Sequence, residues 1–311
     1  LSPAEEAGLA MYCQNKGWRG EPVDLAEIRK LASSICGGIV GENWPSSFLK
    51  RHPELKNRWA KAGESKRASG LNRSNVDSFF QALAEARTGV DADCIWNCDE
   101  KGLQENGGSI RKRVIVGRTQ KDPKVTANES KKMVTILECV NATGGSISRL
   151  LIHEGAEKDG EWIRSNPCGA VIASSPNGWT DADVARVWLE AVFDPETAIQ
   201  AQGRKRLLIL DGHNSHCTLE FVVYAARKNI TVLLLPPHTT HCLQPLDVGV
   251  FGPLAREWRK KVDEWSKMGY KISKNTFLSI YSMARKEALT KDTICSAFKH
   301  CGIEPYNPEV I

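Results

Sequence analysis

The chain has 311 residues, 25% of them charged and 41% hydrophobic, enough for about two domains at roughly 100–200 residues each. Its formal net charge is only +5, from 42 Lys plus Arg against 37 Asp plus Glu, so charge excludes neither a neutral nor a polyanionic partner and local clustering must decide. Ten cysteines without a Cys-x-x-Cys pair argue against a zinc ribbon or a secreted disulfide framework and for a reducing intracellular compartment, and no apolar run approaches the ~18–20 residues of a membrane span.

The chain starts at Leu1 rather than Met, with a helix signal at its very edge, as a fragment of a longer protein would. Ser2-Pro3-Ala4-Glu5 is a capping box with Pro at the first helical position, and Leu9, Tyr12 and Cys13 then recur at helical spacing, predicting a helix to about Lys16. Asp24-Leu25-Ala26-Glu27 opens a second helix with Leu25, Ile28, Leu31, Ala32 and Ile35 on one face, closed by Gly37-Gly38. A third, short helix is predicted to be capped by Asn43, anchored by Trp44 and Phe48 and stopped by Pro53, with Ser46, Ser47 and Lys50 facing outward. Behind it the basic charge concentrates: Arg51, Lys56, Arg58, Lys61, Lys66, Arg67 and Arg73 are opposed only by Glu54 and Glu64.

Asn75 to Arg87 offers one more helix, and the pattern changes near residue 90. From there short apolar runs bounded by Gly, Pro, Asn and Asp predict strands at 94–98, 114–116, 133–140, 147–152, 170–173, 207–210 and 231–235. Helical patterns alternate with the later ones at 181–192, 218–228 and 253–265, an α/β arrangement. Trp44, Phe48, Trp258 and Trp265 fall on helical apolar stripes and are read as core, not as base-stacking aromatics.

Three aspartates occupy comparable places: Asp99 at the close of the first strand, Asp211 directly after the 207–210 strand, and Asp247 ahead of the last long helix. An aspartate at a strand end is commonly a turn former or a helix cap. Three that converge have another use, because phosphodiester chemistry needs oxygen ligands around two divalent ions about 3.5–4 Å apart, and hard carboxylates suit Mg²⁺ or Mn²⁺. His213, His216, His238 and His241 form two His-x-x-His spacings, for which zinc is an alternative without a third-ligand pattern. Groups steering the carboxylates or touching substrate, or simple loop packing, are the other readings of these histidines and of Asn214.

The motifs around the aspartates are Ile95-Trp96-Asn97-Cys98-Asp99-Glu100-Lys101-Gly102, Leu208-Ile209-Leu210-Asp211-Gly212-His213-Asn214-Ser215-His216, and Leu235-Pro236-Pro237-His238-Thr239-Thr240-His241-Cys242-Leu243-Gln244-Pro245-Leu246-Asp247, with 35 residues between Asp211 and Asp247. Together they resemble the DDE superfamily endonuclease domain of pogo-like transposases, in the mariner superfamily, from about Asn72 to the Gly302-Ile303-Glu304-Pro305-Tyr306-Asn307-Pro308 tail. The resemblance implies an RNase H-like α/β core with a mixed central sheet flanked by helices. It maps Asp99, Asp211 and Asp247 onto the catalytic, metal-binding triad for two Mg²⁺ or Mn²⁺ ions, with Glu100 beside the site. Lys101 departs from the family, many of whose members carry Thr there; a lysine so placed can pair with Glu100 or contact DNA.

The first three helices, through Asn43-Trp44 and Phe48-Leu49-Lys50-Arg51-His52-Pro53-Glu54-Leu55, resemble the helix-turn-helix domain of centromere protein B and related transposases. The expected organisation is therefore a DNA-binding domain over 1–72, a linker helix over 73–92 and the catalytic domain over 93–311. Asn43, Ser46, Ser47, Lys50, Arg51, Lys56, Arg58, Lys66 and Arg67 are the candidate DNA contacts, the helix reading bases while Arg and Lys neutralise phosphates; an ordinary solvated basic face is the plainer reading. The implied activity is cut-and-paste transposition in the nucleus on double-stranded DNA, at terminal inverted repeats and target sites, with a homodimer on DNA as an option and without a membrane partner. The alternatives are a domesticated, catalytically silent DNA-binding protein and a host nuclease acting on RNA–DNA hybrids.

Overall fold

The computed structural model describes residues 1–18, 21–58, 73–107, 115, 132–155, 161–212 and 218–311. It opens with three helices, α1 (Pro3–Trp18), α2 (Leu25–Cys36) and α3 (Trp44–Arg51). The Ser2 box forms in both directions, Ser2 N to Glu5 Oε2 at 2.7 Å and Glu5 N to Ser2 Oγ at 3.3 Å. Asp24 accepts the Glu27 N–H at 2.8 Å, and Gly37 ends α2 in the left-handed conformation at φ 67°. Asn43 differs from expectation: it is helical and makes no side-chain cap. Pro45 sits in the first turn without an N–H, so one of the donors a cap would satisfy is missing there.

The helix α4 (Arg73–Ala86) covers most of the stretch expected as a linker helix. Its face of Val76, Phe79, Phe80 and Leu83 is buried in the largest apolar cluster among the described residues, with Ile95, Leu207 and Phe277, because a stripe of that width must be covered. The Tyr306 hydroxyl donates to the Phe80 carbonyl at 3.1 Å, tying the chain's end to this helix.

A six-stranded sheet follows, built from β1 (Ile95–Gln104), β2 (Met133–Asn141), β3 (Leu150–Glu154), β4 (Val171–Ser175), β5 (Arg206–Leu210) and β6 (Ile230–Leu234). The order is β4-β3-β2-β1-β5-β6, with β1–β2 and β2–β3 antiparallel and β3–β4, β1–β5 and β5–β6 parallel. An antiparallel meander joined through its first strand to two parallel strands, with helices on both faces, is the RNase H-like core the motifs implied. The 114–116 run lies outside the described residues except for Ile115, which is exposed.

Helices fill both faces. Between β3 and β5 come α5 (Glu161–Arg164), α6 (Ala182–Trp188) and α7 (Asp194–Ala201), the last two joined through a π turn over Leu189–Phe193. That wider turn accommodates Pro195, whose missing N–H would interrupt an ordinary helix. Then follow α8 (Leu219–Arg227), α9 (Thr240–Leu243), a second π turn over Leu246–Val250, α10 (Phe251–Lys267), α11 (Lys274–Ala288) and α12 (Lys291–His300). Alternation along β1 sends Ile95 and Leu103 into the cluster with α4, α10, α11 and α12, and Trp96 and Cys98 into the cluster with α6 and α8. No described helix is long and apolar enough to cross a membrane.

The N-terminal bundle rests on this core. A Cβ placed on Gly8 of α1 would stand 3.1 Å from the Val223 Cα and 3.2 Å from the Ala226 Cβ of α8, so the two helices meet backbone to backbone. Arg227 pairs with Glu5 at 2.6 Å, the Val232 N–H reaches the Met11 sulfur at 3.2 Å, and Leu219 packs against the bundle's interior.

Candidate active site

Asp99 does not close its strand, as the apolar run suggested; β1 continues to Gln104. The parallel pairing of β1 with β5 ends at Asn97↔Ile209, while the antiparallel pairing with β2 goes on through Asp99↔Glu138 to Gln104↔Met133. Beyond Asn97 one edge of β1 is therefore free of β5, and Asp99 lies there, half-buried. Asp211 follows the last residue of β5, whose Leu210 carbonyl accepts the Leu235 N–H at 2.8 Å. Asp247 lies in the second π turn and is exposed.

These carboxylates repel one another. Burial pushes the Asp99 carboxyl well above the usual carboxylate range, and the charges of Asp247 and Asp211 push it further, against the Glu100 N–H at 2.8 Å and the Gln244 side chain, which favour its charged form. Although its side chain reaches solvent, loss of hydration against the neighbouring protein also raises Asp247, offset by the Lys101 ammonium and reinforced by Asp211. A cation between the acids offsets their mutual repulsion, and three aspartates are hard oxygen donors, so the residues fit Mg²⁺ or Mn²⁺ in charge and chemistry. Among the described residues no three His, Cys, Asp or Glu side chains stand close enough together to hold a metal ion as they are.

Lys101 lies on the same face of β1 as Asp99, two residues on, with its Nζ 5.3 Å from the centre of the Phe251 ring. It serves the Asp247 side of the site, whereas Glu100 points to the opposite face by strand alternation. His238, with φ 61°, and His241 are exposed around the turn that Thr239 closes by donating its hydroxyl to the Pro236 carbonyl at 2.7 Å. His213, Asn214 and His216 lie outside the described residues.

Of the candidate DNA contacts, Asn43, Ser46, Ser47, Lys50, Lys56 and Arg58 are exposed on or just after α3, and Lys66 and Arg67 lie outside the described residues. Arg51 is engaged elsewhere: its guanidinium holds Glu6 of α1 through Nε at 2.9 Å and Nη2 at 2.7 Å. Sequence reasoning assigned Arg51 to DNA because an ion pair across 45 residues leaves no local pattern. It also passed over Asn97 and Gln244, whose only signal is a polar side chain inside an apolar run.

A family model described as DDE superfamily endonuclease matches residues 130–298, just over half of the chain and a span that includes Asp211 and Asp247. The chain belongs to that family. A pogo transposable element with KRAB domain from Mus musculus is 26% identical over 321 residues, covering 95% of this chain and 51% of that protein. An MFS-type transporter clz9 from Cochliobolus lunatus is 29% identical over 317 residues, covering all of this chain and 31% of its own length. The chain thus spans 31% of one of these curated relatives and 51% of the other. Among solved structures, the Mos1 mariner paired end complex with Mn is similar at a TM-score of 0.47 and 13% identity, over 91% of this chain and 77% of that one. The Mos1 strand transfer complex is similar at 0.46 and 13%, over 95% and 75%.

Proposed function

We propose that this chain is the DNA-reading and catalytic portion of a metal-dependent transposase of the pogo and mariner kind, acting on double-stranded DNA in the nucleus. The observation that carries the reading is the placement of the three aspartates: Asp99 on the edge of β1 that β5 leaves after Asn97, Asp211 directly after β5, and Asp247 next to Leu246, whose N–H donates to Asn97 of β1. Asp99, Asp211 and Asp247 would hold two Mg²⁺ or Mn²⁺ ions, which when bound supply positive charge to the scissile phosphate and acidify the attacking water. Lys101, beside Asp247, is placed to neutralise a phosphate oxygen, and His238 and His241 line the approach as substrate contacts. The oxygen of water bonds to phosphorus as the bond to the 3′ oxygen breaks, leaving a 3′ hydroxyl and a 5′ phosphate. That hydroxyl would then attack a target phosphodiester, its oxygen bonding to phosphorus as the target strand's own 3′ oxygen leaves and takes up a proton.

The exposed face of α3, with Ser46, Ser47 and Lys50, suits the major groove, and Lys56 and Arg58 suit the flanking backbone. Two copies on paired element ends would place two such sites together.

The test uses DNA duplexes that the chain selects from a randomised pool, with Mg²⁺-dependent nicking compared among wild type, Asp99→Asn, Asp211→Asn and Asp247→Asn. Wild type is expected to nick and each variant to bind the duplex without nicking. Equal nicking by all four removes the triad, and binding without nicking by wild type makes the chain a silent DNA reader.

A further inference from the structure

Two fully buried amides stand between the elements that carry the three aspartates. The Asn97 Nδ2 donates to the Ile209 carbonyl of β5 at 3.0 Å and to the Gln244 Oε1 at 2.6 Å, and its Oδ1 accepts the Leu246 N–H at 3.1 Å. Gln244 in turn directs its Nε2 toward the Cys98 carbonyl at 3.4 Å. Asn97 precedes Asp99 by two residues, Ile209 precedes Asp211 by two, and Leu246 precedes Asp247 by one. Every anchor of the network is thus immediately upstream of one carboxylate, on three elements far apart in the chain.

A buried amide is costly unless its donors and acceptors are met. Here Asn97 of β1 meets both its donors and its acceptor with groups from β5 and from the 244–246 stretch, so a shift of any one of the three segments breaks a buried hydrogen bond. Simple packing needs no such group: β1 and β5 are already paired, and the surrounding residues Ile95, Leu207, Ile209, Leu243 and Leu246 are apolar.

We propose that Asn97 and Gln244 are positioning residues that set the mutual spacing of Asp99, Asp211 and Asp247, and through it the affinity of the site for divalent ions. The inference rests on the metal-binding reading of those aspartates given above. Outer groups that orient metal ligands typically change metal affinity by about 10–100-fold when removed.

The test measures Mn²⁺ binding to the full chain by calorimetry and by the electron paramagnetic resonance of bound Mn²⁺, without DNA. The proteins are wild type, Asp99→Asn, Asn97→Leu and Gln244→Met, the last two chosen to keep volume while removing the hydrogen bonds. Both amide variants are expected to fold, to bind Mn²⁺ about tenfold or more weakly with a changed resonance line, and to recover DNA nicking when Mn²⁺ is raised to saturation. Wild-type affinity and an unchanged line in both would overturn the proposal. So would unfolding of both, which would make the pair a requirement of the fold rather than of the site. If instead Asp99→Asn binds Mn²⁺ as wild type does, the metal-site reading itself fails and the inference falls with it.

Discussion

In the α/β core the polar groups are walled in. Asn97, Gln244 and Glu138 are fully buried, and Glu138 is held by the Arg285 guanidinium at 2.7 and 3.0 Å and by the Tyr281 hydroxyl. The N-terminal bundle is built the other way: its interior is small, centred on Leu9, Ala10, Cys13, Ile28, Ala32, Val40 and Phe48, and its polar side chains on α3 stay in water. The contrast suits the two tasks proposed for these regions. Charges that must repel one another in a fixed arrangement need a rigid buried frame, whereas a surface that reads a polyanion needs its donors free, and so the bundle borrows rigidity by seating α1 on α8.

The largest effect is expected in the frame. Glu138→Ala leaves the Arg285 charge buried without its partner, and loss of one member of a buried pair costs about 3–5 kcal/mol, to be read from urea unfolding of the full chain. A change below about 1 kcal/mol, the scale of a surface ion pair, would erase the distinction between the two regions. Next is the seam. Gly8→Leu forces a side chain into the α1–α8 contact, where overpacking costs typically about 1–3 kcal/mol. Hydrogen exchange should accelerate in α1 and α2 while β1 and β5 keep their protection; a uniform change would mean that bundle and core unfold as one unit.

A pH effect of smaller size separates the regions again. The Ser2 backbone N–H and the Arg227 guanidinium lower the Glu5 pKa to about 2, and Arg51 lowers that of Glu6. Folded values below the unfolded ones give a stabilisation that is complete above the ordinary carboxylate pKa and fades as pH falls through the folded value. Exchange from α1 should therefore rise, relative to β1, between about pH 4.5 and about pH 2, and Glu5→Gln should flatten that rise. The smallest effect concerns the reading face: Lys50→Ala is expected to reduce the salt slope of DNA binding by about 0.9 for one lost phosphate contact. Arg51→Ala should instead loosen α1 and leave the slope unchanged, since its guanidinium already serves Glu6. Equal slopes for the Lys50 variant and wild type would remove α3 from the phosphate backbone.

Periodicity, capping and punctuation by Gly and Pro were enough to find the three opening helices, six of the strands and the alternation of the later helices. They work because burying one face imposes spacings of 3.6 and 2 along the chain. The three aspartates stand out as candidates for a different reason, since each stands in a dense local motif of its own. Neither kind of signal crosses the chain. That α4 belongs to the core, that β1 runs past Asp99 once β5 leaves its side, that α1 sits on α8 and that Arg51 faces Glu6 all depend on residues tens to hundreds of positions apart. The buried amides make the point most plainly: by sequence Asn97 and Gln244 are two ordinary polar residues in apolar runs, and only where 97, 209 and 246 meet does a hydrogen-bond frame exist. Local order is written in neighbours, while the spacing of charges is decided by which elements share a buried contact.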